Sequence, residues 1–211
     1  MLLHACFALT GHQVTEKKDY RNNALQRVLD KLKIVRWDFV LIGDGSGTTR
    51  ERACGWASVL IDRHNRRQWY GGRMNFGGSN IVAETMAYVH PLLDICRQHR
   101  RKAGGASQAL RLHIITDCQH VADAGNNPAL RRGQPVLWAP FVTAEHLGVF
   151  TRWHWWGRDE IRLNKFSHEM ANAQRKALDD ENEVQTALNT VLKPKKQRNL
   201  ALQNCTKFHP E

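Results

Sequence analysis

The order of apolar segments along the 211-residue chain constrains its fold more than any other sequence feature. Three strand-like runs come first, and short polar or glycine-containing connections separate them. They are WDFVLIGDG at 37–45, ACGWASVLID at 53–62 and RRQWYGGRMNF at 66–76. Because short connections join antiparallel neighbours, these three runs predict an antiparallel meander.

Helical and strand patterns alternate after the meander. Apolar residues recur at helical spacing from Ile81 to Cys96, with Ser79 or Asn80 as the expected cap and Pro91 as an expected kink. This pattern predicts one long helix directly after the third strand.

Two further strands and a final helix follow the long helix. RLHIITDCQ at 111–119 and FTRWHWW at 150–156 have strand character, and a helix begins near Lys165. The segment between the two strands contains three prolines and is expected to be irregular or to form only short helices. The whole order indicates an α/β fold with a mixed five-stranded sheet and helices on both faces.

Three regions are expected along the chain. Residues 1–36 form an N-terminal extension with an amphipathic helix over 15–34, which packs on the domain or holds a partner. Residues 37–192 form the main domain, including a long C-terminal helix with a second apolar stripe over 184–192. Residues 193–211 form a basic tail that is expected to be flexible.

The charge balance favours a polyanionic partner. Lysine and arginine number 31 against 20 acidic residues, which gives a formal net charge of +11. Nucleic acid is the simplest such partner, because its phosphates can be neutralised by these side chains. The five cysteines form no C-x-x-C pair, and no segment approaches the roughly 20 apolar residues of a membrane helix. We therefore expect reduced thiols, a cytoplasmic protein and no membrane partner.

Three acidic residues stand where the predicted elements end or begin. Asp44 closes the first strand, Asp117 closes the fourth, and Glu84 lies near the start of the long helix. Carboxylates gathered at one sheet edge would repel one another, and divalent cations would relieve that repulsion. Hard oxygen ligands favour Mg²⁺ or Mn²⁺, and two such ions can activate water and stabilise the leaving oxygen of a phosphodiester.

Four motifs in this order resemble the ribonuclease H family. DGSG after the first strand resembles the family's D-G-S motif, and SNIVAETMAY resembles its helix start with the second carboxylate. TDCQHV resembles the T-D-S-x-x-V strand end, and RWHWWGRDEIRLNKFSHEMANAQ resembles the tryptophan-rich last strand, loop and final helix. The resemblance spans roughly 37–178, and its specificity lies in the ordered combination of the motifs.

The resemblance implies a ribonuclease H-like fold and an endoribonuclease that cuts the RNA strand of RNA–DNA hybrids by a two-metal-ion mechanism. It implies that Asp44, Glu84 and Asp117 hold two ions of Mg²⁺ or Mn²⁺. It also implies substrate-binding roles for a second set of residues, namely Gly45, Ser46, Asn80, Gln119 and Asn164.

This sequence departs from the family pattern on the final helix and in the loop before it. The family's fourth carboxylate falls on His168, which could ligate metal through a neutral imidazole. The adjacent Glu169 projects about 100° further round the helix and is the weaker candidate. The family's loop histidine is absent, and Arg158, Asp159 and Glu160 occupy that loop.

Two other functions remain open on the sequence. One is a structure-specific DNA nuclease of the junction-resolvase kind, although such enzymes usually take their second carboxylate from a strand end and Glu84 lies on a helix. The other is a degenerate nuclease fold that only binds nucleic acid. Loss of the fourth carboxylate favours it, and retention of the other three opposes it.

Overall fold

The computed structural model describes residues 22–47, 54–74, 79–102, 109–157 and 161–177. Five helices and a short 3₁₀ turn accompany five strands in this part of the chain. The strands are β1 (Phe39–Gly47), β2 (Cys54–Asp62), β3 (Arg67–Met74), β4 (Leu110–Thr116) and β5 (Val149–Trp155). The helices are α1 (Asn22–Lys31), α2 (Asn80–Lys102), α3 (Gln119–Asn126), α4 (Pro135–His146) and α5 (Arg162–Lys176), and the 3₁₀ turn is Leu130–Gly133.

The strands form one mixed sheet in the order β3-β2-β1-β4-β5. Strands β1, β2 and β3 pair antiparallel, which confirms the predicted meander. Strand β4 runs parallel to both β1 and β5. Because β1 and β4 are parallel neighbours, their carboxyl ends lie at the same edge of the sheet, and this edge carries the candidate site.

Helices cover both faces of the sheet, as the sequence predicts. On one face, Leu41 of β1 and Trp56 of β2 share a core with Tyr88 of α2 and Phe141 of α4. Trp153 of β5 also belongs to this core and is buried.

The other face is covered by α1 and α5. Val40 and Val59 share a second core with Leu29 of α1, and Ala171 of α5 packs on Ala57. Helix α1 therefore packs on the domain, which is one of the two roles that its sequence left open. A Cβ on Gly55 would lie 2.3 Å from the carbonyl oxygen of Ala171, so only glycine lets α5 approach β2 this closely.

The proline-rich segment is more helical than the sequence predicts. Instead of irregular chain or short helices only, it contains the twelve-residue helix α4. Pro135 occupies the first helical turn, where a backbone N–H has no helical partner. Pro140 lies inside the helix, which is held on the core through buried Trp138, Phe141 and Ala144. Tertiary packing here outweighs the local penalty of proline.

Several sequence predictions concern residues outside the described ranges. These are the first turns of the 15–34 helix, the loop residues 158–160, the apolar stripe at 184–192 and the basic tail at 193–211. Helix α2 contains Pro91 as predicted, and the kink stays a prediction. Within the described ranges, no helix is both long enough and apolar enough to cross a membrane.

Candidate metal centre

Three carboxylates converge at the edge of the sheet where β1 and β4 end. Asp44 lies in β1, Asp117 directly follows β4, and Glu84 lies in the second turn of α2. One oxygen atom from each of the three side chains lies within 4.8 Å of the others. Asp44 and Glu84 are fully buried, whereas Asp117 is partly exposed. The cluster therefore opens to solvent on the Asp117 side.

Gly45 joins the first carboxylate to the second. Its backbone N–H donates a hydrogen bond of 3.1 Å to Oε2 of Glu84. A Cβ at this position would lie 2.1 Å from the backbone nitrogen of Glu84. Only glycine allows β1 and α2 to approach so closely, and this approach brings Glu84 next to Asp44.

Tyr88 fixes α2 against the strand that carries Asp44. Its hydroxyl donates a hydrogen bond of 2.7 Å to the carbonyl oxygen of Gly43, one residue before Asp44. The ring is fully buried and packs edge-on against Trp153, with ring centroids 5.2 Å apart. Glu84 lies one helical turn before Tyr88, so this anchor also sets the height of the Glu84 carboxylate.

Charge crowding dominates the electrostatics of the cluster. The pKa of Glu84 is raised well above its usual value, first by burial, then by the neighbouring charge of Asp44, and further by Asp117. Burial and like charges both disfavour the ionised form of a carboxyl group. A divalent cation among the three side chains would reverse this balance, and carboxylate oxygens are the ligands that Mg²⁺ and Mn²⁺ prefer.

Asp117 is held by its backbone at the junction of β4 and α3. The indole Nε1 of Trp155 donates a hydrogen bond of 3.1 Å to the carbonyl oxygen of Asp117. On the other side, the backbone N–H of Cys118 donates to Oγ1 of Thr116 at 3.1 Å. These two bonds fix the turn, so the partly exposed side chain projects from a defined backbone.

His168 lies beside the cluster, on α5. Its Nδ1 is 2.7 Å from Oδ2 of Asp44, and its Nε2 is 2.8 Å from Nδ2 of Asn172. An amide nitrogen only donates, so Nε2 accepts from Asn172 in this arrangement, and Nδ1 faces Asp44. The structure thus brings His168 to the carboxylates at the position where the sequence predicts a fourth ligand.

A polar chain extends from His168 along α5. The hydroxyl of Ser46 donates a hydrogen bond of 2.5 Å to Oδ1 of Asn172, which orients that amide. Nε of Arg175 in turn donates to Oγ of Ser46 at 3.0 Å. Asn172 and Arg175 were not predicted as site residues from the sequence. The spacing of four residues between His168 and Asn172 places these two side chains on one face of the helix, and this spacing could have indicated Asn172.

The predicted substrate-binding residues have different surroundings. Gly45 donates its backbone N–H to Glu84, whereas Ser46 bonds to Asn172 and Arg175. Asn80 and Gln119 are exposed at the first residues of α2 and α3. Ser79 caps α2 by accepting a hydrogen bond of 3.3 Å from the N–H of Val82. Asn164 is buried on α5, and its Oδ1 has no hydrogen-bond partner among the described residues.

Comparison with known proteins finds likenesses among solved structures only. No protein-family model matches the sequence. No curated protein matches it either.

Three solved structures to which the chain is similar are ribonuclease H proteins. The N-terminal RNase H domain of Rv2228c from Mycobacterium tuberculosis has a TM-score of 0.49 at 18% identity, over 70% of this chain and 99% of that chain. RNase H1 from the archaeon Halobacterium salinarum has a TM-score of 0.46 at 18% identity, over 67% of this chain and 98% of that one. LC11-RNase H1 in complex with an RNA/DNA hybrid has a TM-score of 0.47 at 18% identity, over 66% of this chain and 99% of that one.

The chain's own architecture decides the fold. An antiparallel meander is followed by two parallel strands in the order β3-β2-β1-β4-β5. Helices cover both faces, and the carboxylates meet where β1 and β4 end. This chain has the ribonuclease H-like fold.

Proposed function

We propose that this chain is a metal-dependent endonuclease that hydrolyses the RNA strand of RNA–DNA hybrids. The observation that carries the proposal is the cluster of Asp44, Glu84 and Asp117, whose oxygen atoms lie within 4.8 Å of one another. The choice of substrate follows the resemblance of the sequence motifs to the ribonuclease H family. The net charge of +11 suits a polyanionic substrate.

The donor set fits divalent cations with hard ligands. Asp44 and Glu84 are buried, and burial together with the like charges of Asp44 and Asp117 raises the pKa of Glu84. We assign two ions, Mg²⁺ or Mn²⁺, to Asp44, Glu84, Asp117 and His168. When bound, such ions lower the pKa of a coordinated water and stabilise the charge that develops on the leaving oxygen of a phosphodiester.

The protein's own residues would position the scissile phosphate and exclude competing water. Asp44 and Glu84 form the buried floor of the centre, and the partly exposed Asp117 lies at its open side, where a phosphodiester can enter. Gly45, Ser46, Asn80, Gln119 and Asn164 are the proposed substrate contacts. Of these, Asn80 and Gln119 are exposed at helix starts, where backbone N–H groups also favour anions.

His168 has two proposed roles that depend on its proton. Nδ1 lies 2.7 Å from Oδ2 of Asp44, so a protonated ring would offset part of the negative charge of the cluster. As a metal ligand, the neutral ring would present the lone pair of Nδ1 and carry its proton on Nε2. Imidazole is softer than carboxylate, so a histidine ligand shifts preference from Mg²⁺ towards Mn²⁺.

A substrate panel tests the proposal. The full chain is incubated with end-labelled RNA–DNA hybrid, double-stranded DNA and a four-way DNA junction, each with Mg²⁺, with Mn²⁺ and with EDTA. We expect cuts in the RNA strand of the hybrid with either metal and none with EDTA.

Each other pattern in the panel overturns a different part of the proposal. Cleavage of the junction without the hybrid would replace the substrate by a DNA structure. Binding of the hybrid without cleavage in either metal would show a degenerate nucleic-acid-binding module.

A further inference from the structure

A second surface with nucleic-acid chemistry lies away from the carboxylates. It is a groove of about 440 Å³ between the chain that follows α1 and the N-terminal halves of β4 and β5. We call it the basic groove. The lining residues that matter are Lys33, Arg36, Arg111, His113, Phe150 and Arg152.

Strand alternation creates the groove on a part of the sheet that no described helix covers. Arg111 pairs in register with Phe150, and His113 with Arg152. Their neighbours Leu112, Val149 and Trp153 point into the core under α2 and α4. The groove residues therefore point to the opposite face, because side chains alternate along a strand. Helix α5 packs on β1, β2 and β3, so among the described helices none covers this face beside β4 and β5.

The groove is strongly positive. Four lining side chains are lysine or arginine, and no aspartate or glutamate lines it. Within the described part of the chain, none of these four side chains forms an ion pair. Asp38 lies nearby but is engaged, since it pairs with Arg63 at 2.7 Å and accepts from the backbone N–H of Arg111 at 2.8 Å.

The positive charge of the groove also affects the pKa of His113, which lines it. Burial is the largest cause that lowers the pKa of His113, and the charges of Arg152 and Arg111 lower it further. A groove lined by these four cations attracts anions.

Apolar surface lies among these cations. Phe150 is 55% exposed although it lies in a strand, and Val35 is 87% exposed on the opposite wall. An exposed ring flanked by arginines is the arrangement with which proteins bind single strands, because phosphates pair with the cations and a base stacks on the ring.

We propose that the basic groove binds single-stranded nucleic acid, with phosphates at Lys33, Arg36, Arg111 and Arg152 and a base stacked on Phe150. The groove is separate from the carboxylate centre. Between His113 and Asp117 the chain advances about 13 Å, and between Arg111 and Asp117 about 20 Å, at about 3.3 Å per strand residue. This proposal rests on the charge and shape of the groove and does not require the chain to be a nuclease.

Fluorescence anisotropy with a labelled twelve-nucleotide oligo-dT tests the proposal. The full chain is titrated in EDTA at several salt concentrations, as wild type, as Arg111→Gln/Arg152→Gln and as Phe150→Ala. Arg132→Gln/Lys176→Gln is the matched control, because it removes two exposed cations elsewhere on the surface. Thermal unfolding shows that each variant is folded, and Lys33→Gln/Arg36→Gln replaces the first variant if that one is not.

The proposal predicts a distinct effect for each variant. The arginine double variant should weaken binding at least tenfold and reduce the slope of log affinity against log salt by about 1.4, since each lost phosphate contact contributes about 0.7 for single strands. Phe150→Ala should weaken binding about tenfold with the slope unchanged. Affinities within twofold of the control variant's would overturn the proposal, as would displacement of oligo-dT by an acidic peptide that binds more tightly.

A cleavage assay separates this proposal from the proposed nuclease function. The groove variants should cut a short RNA–DNA hybrid at the wild-type rate, because the substituted side chains lie outside the carboxylate centre. Loss of oligo-dT binding with cleavage retained supports the groove proposal. Cleavage lost together with oligo-dT binding would place the groove within the hydrolytic site and overturn its separate role.

Discussion

The histidine pair on β4 and β5 should make the protein sensitive to mild acid. Nδ1 of His113 lies 2.9 Å from Nε2 of His154, and the two rings stack with centroids 5.2 Å apart. Such a hydrogen bond needs one nitrogen to accept, so at least one ring is neutral. Burial first, and then the charges of His113 and Arg152, lower the pKa of His154 from 6.5 to about 4.

The lowered pKa of His154 makes the free energy of unfolding depend on pH. Between pH 6.5 and 4, His154 is protonated in the unfolded chain and neutral in the folded one. Stability from this group is therefore complete above pH 6.5 and is lost as the pH falls towards 4. A shift of this size corresponds to at most about 3 kcal/mol, at 1.36 kcal/mol per pKa unit. Because water reaches part of the ring, we expect about 1 to 3 kcal/mol.

Urea unfolding at pH 7 and at pH 4.5 measures this contribution. Wild type should lose about 1 to 3 kcal/mol more stability between these two pH values than His154→Gln, which keeps a polar partner for His113 and cannot take up a proton. His120→Gln on the exposed start of α3 is the matched control and should behave as wild type. If wild type and His154→Gln lose equal stability, the pair does not stabilise the neutral state and the reasoning is wrong.

Three further predictions concern the carboxylate centre. Gly45→Ala should cost about 1 to 3 kcal/mol of stability in urea unfolding and should lower cleavage, because the added Cβ collides with the backbone of α2. Gly133→Ala is the control and should change neither quantity, because its Cβ meets nothing within 4 Å. In EDTA, the unfolding free energy of wild type should fall as the pH rises above the usual pKa range of a glutamate, because the pKa of Glu84 is raised in the folded state. Glu84→Gln should remove that decline. Parallel pH profiles of the two proteins would contradict this prediction. Asn172→Ala should raise the metal concentration for half-maximal cleavage roughly tenfold, because it removes the hydrogen bond that holds the ring of His168. Identical curves of cleavage against metal concentration for wild type and variant would show that Asn172 does not position His168.

Much of the fold can be predicted from the sequence because its elements are marked locally. The runs before Asp44 and before Asp117 are rich in apolar residues, so both strands are predicted, although β1 continues to Gly47, three residues beyond the predicted end at Asp44. Parallel pairing then brings the two carboxylates to one edge. The position of Glu84 can also be predicted, because the helical pattern that begins at Ile81 places it near the start of the long helix.

The rest depends on contacts between distant parts of the chain. Ser46 and Asn172 are 126 residues apart, and no local pattern shows that β1 and α5 approach closely enough for their hydrogen bond. The basic groove likewise exists only because β5 lies beside β4, which places Phe150 next to Arg111. Helix α4 was underestimated for a related reason, since buried contacts of Trp138 and Phe141 compensate for its prolines.

Asp44→Asn tests the central claim most directly. Asp44 lies fully buried in the cluster and contacts both Glu84 and His168. Cleavage of labelled RNA–DNA hybrid is measured in Mg²⁺ and in Mn²⁺ for wild type, for Asp44→Asn and for Asp123→Asn, an exposed aspartate on α3 that serves as the matched control. We predict that Asp44→Asn falls to the level of the EDTA reaction while its melting temperature in EDTA stays the same or rises, because the substitution removes a repelling charge. Full hybrid cleavage by Asp44→Asn would contradict the assignment of this centre.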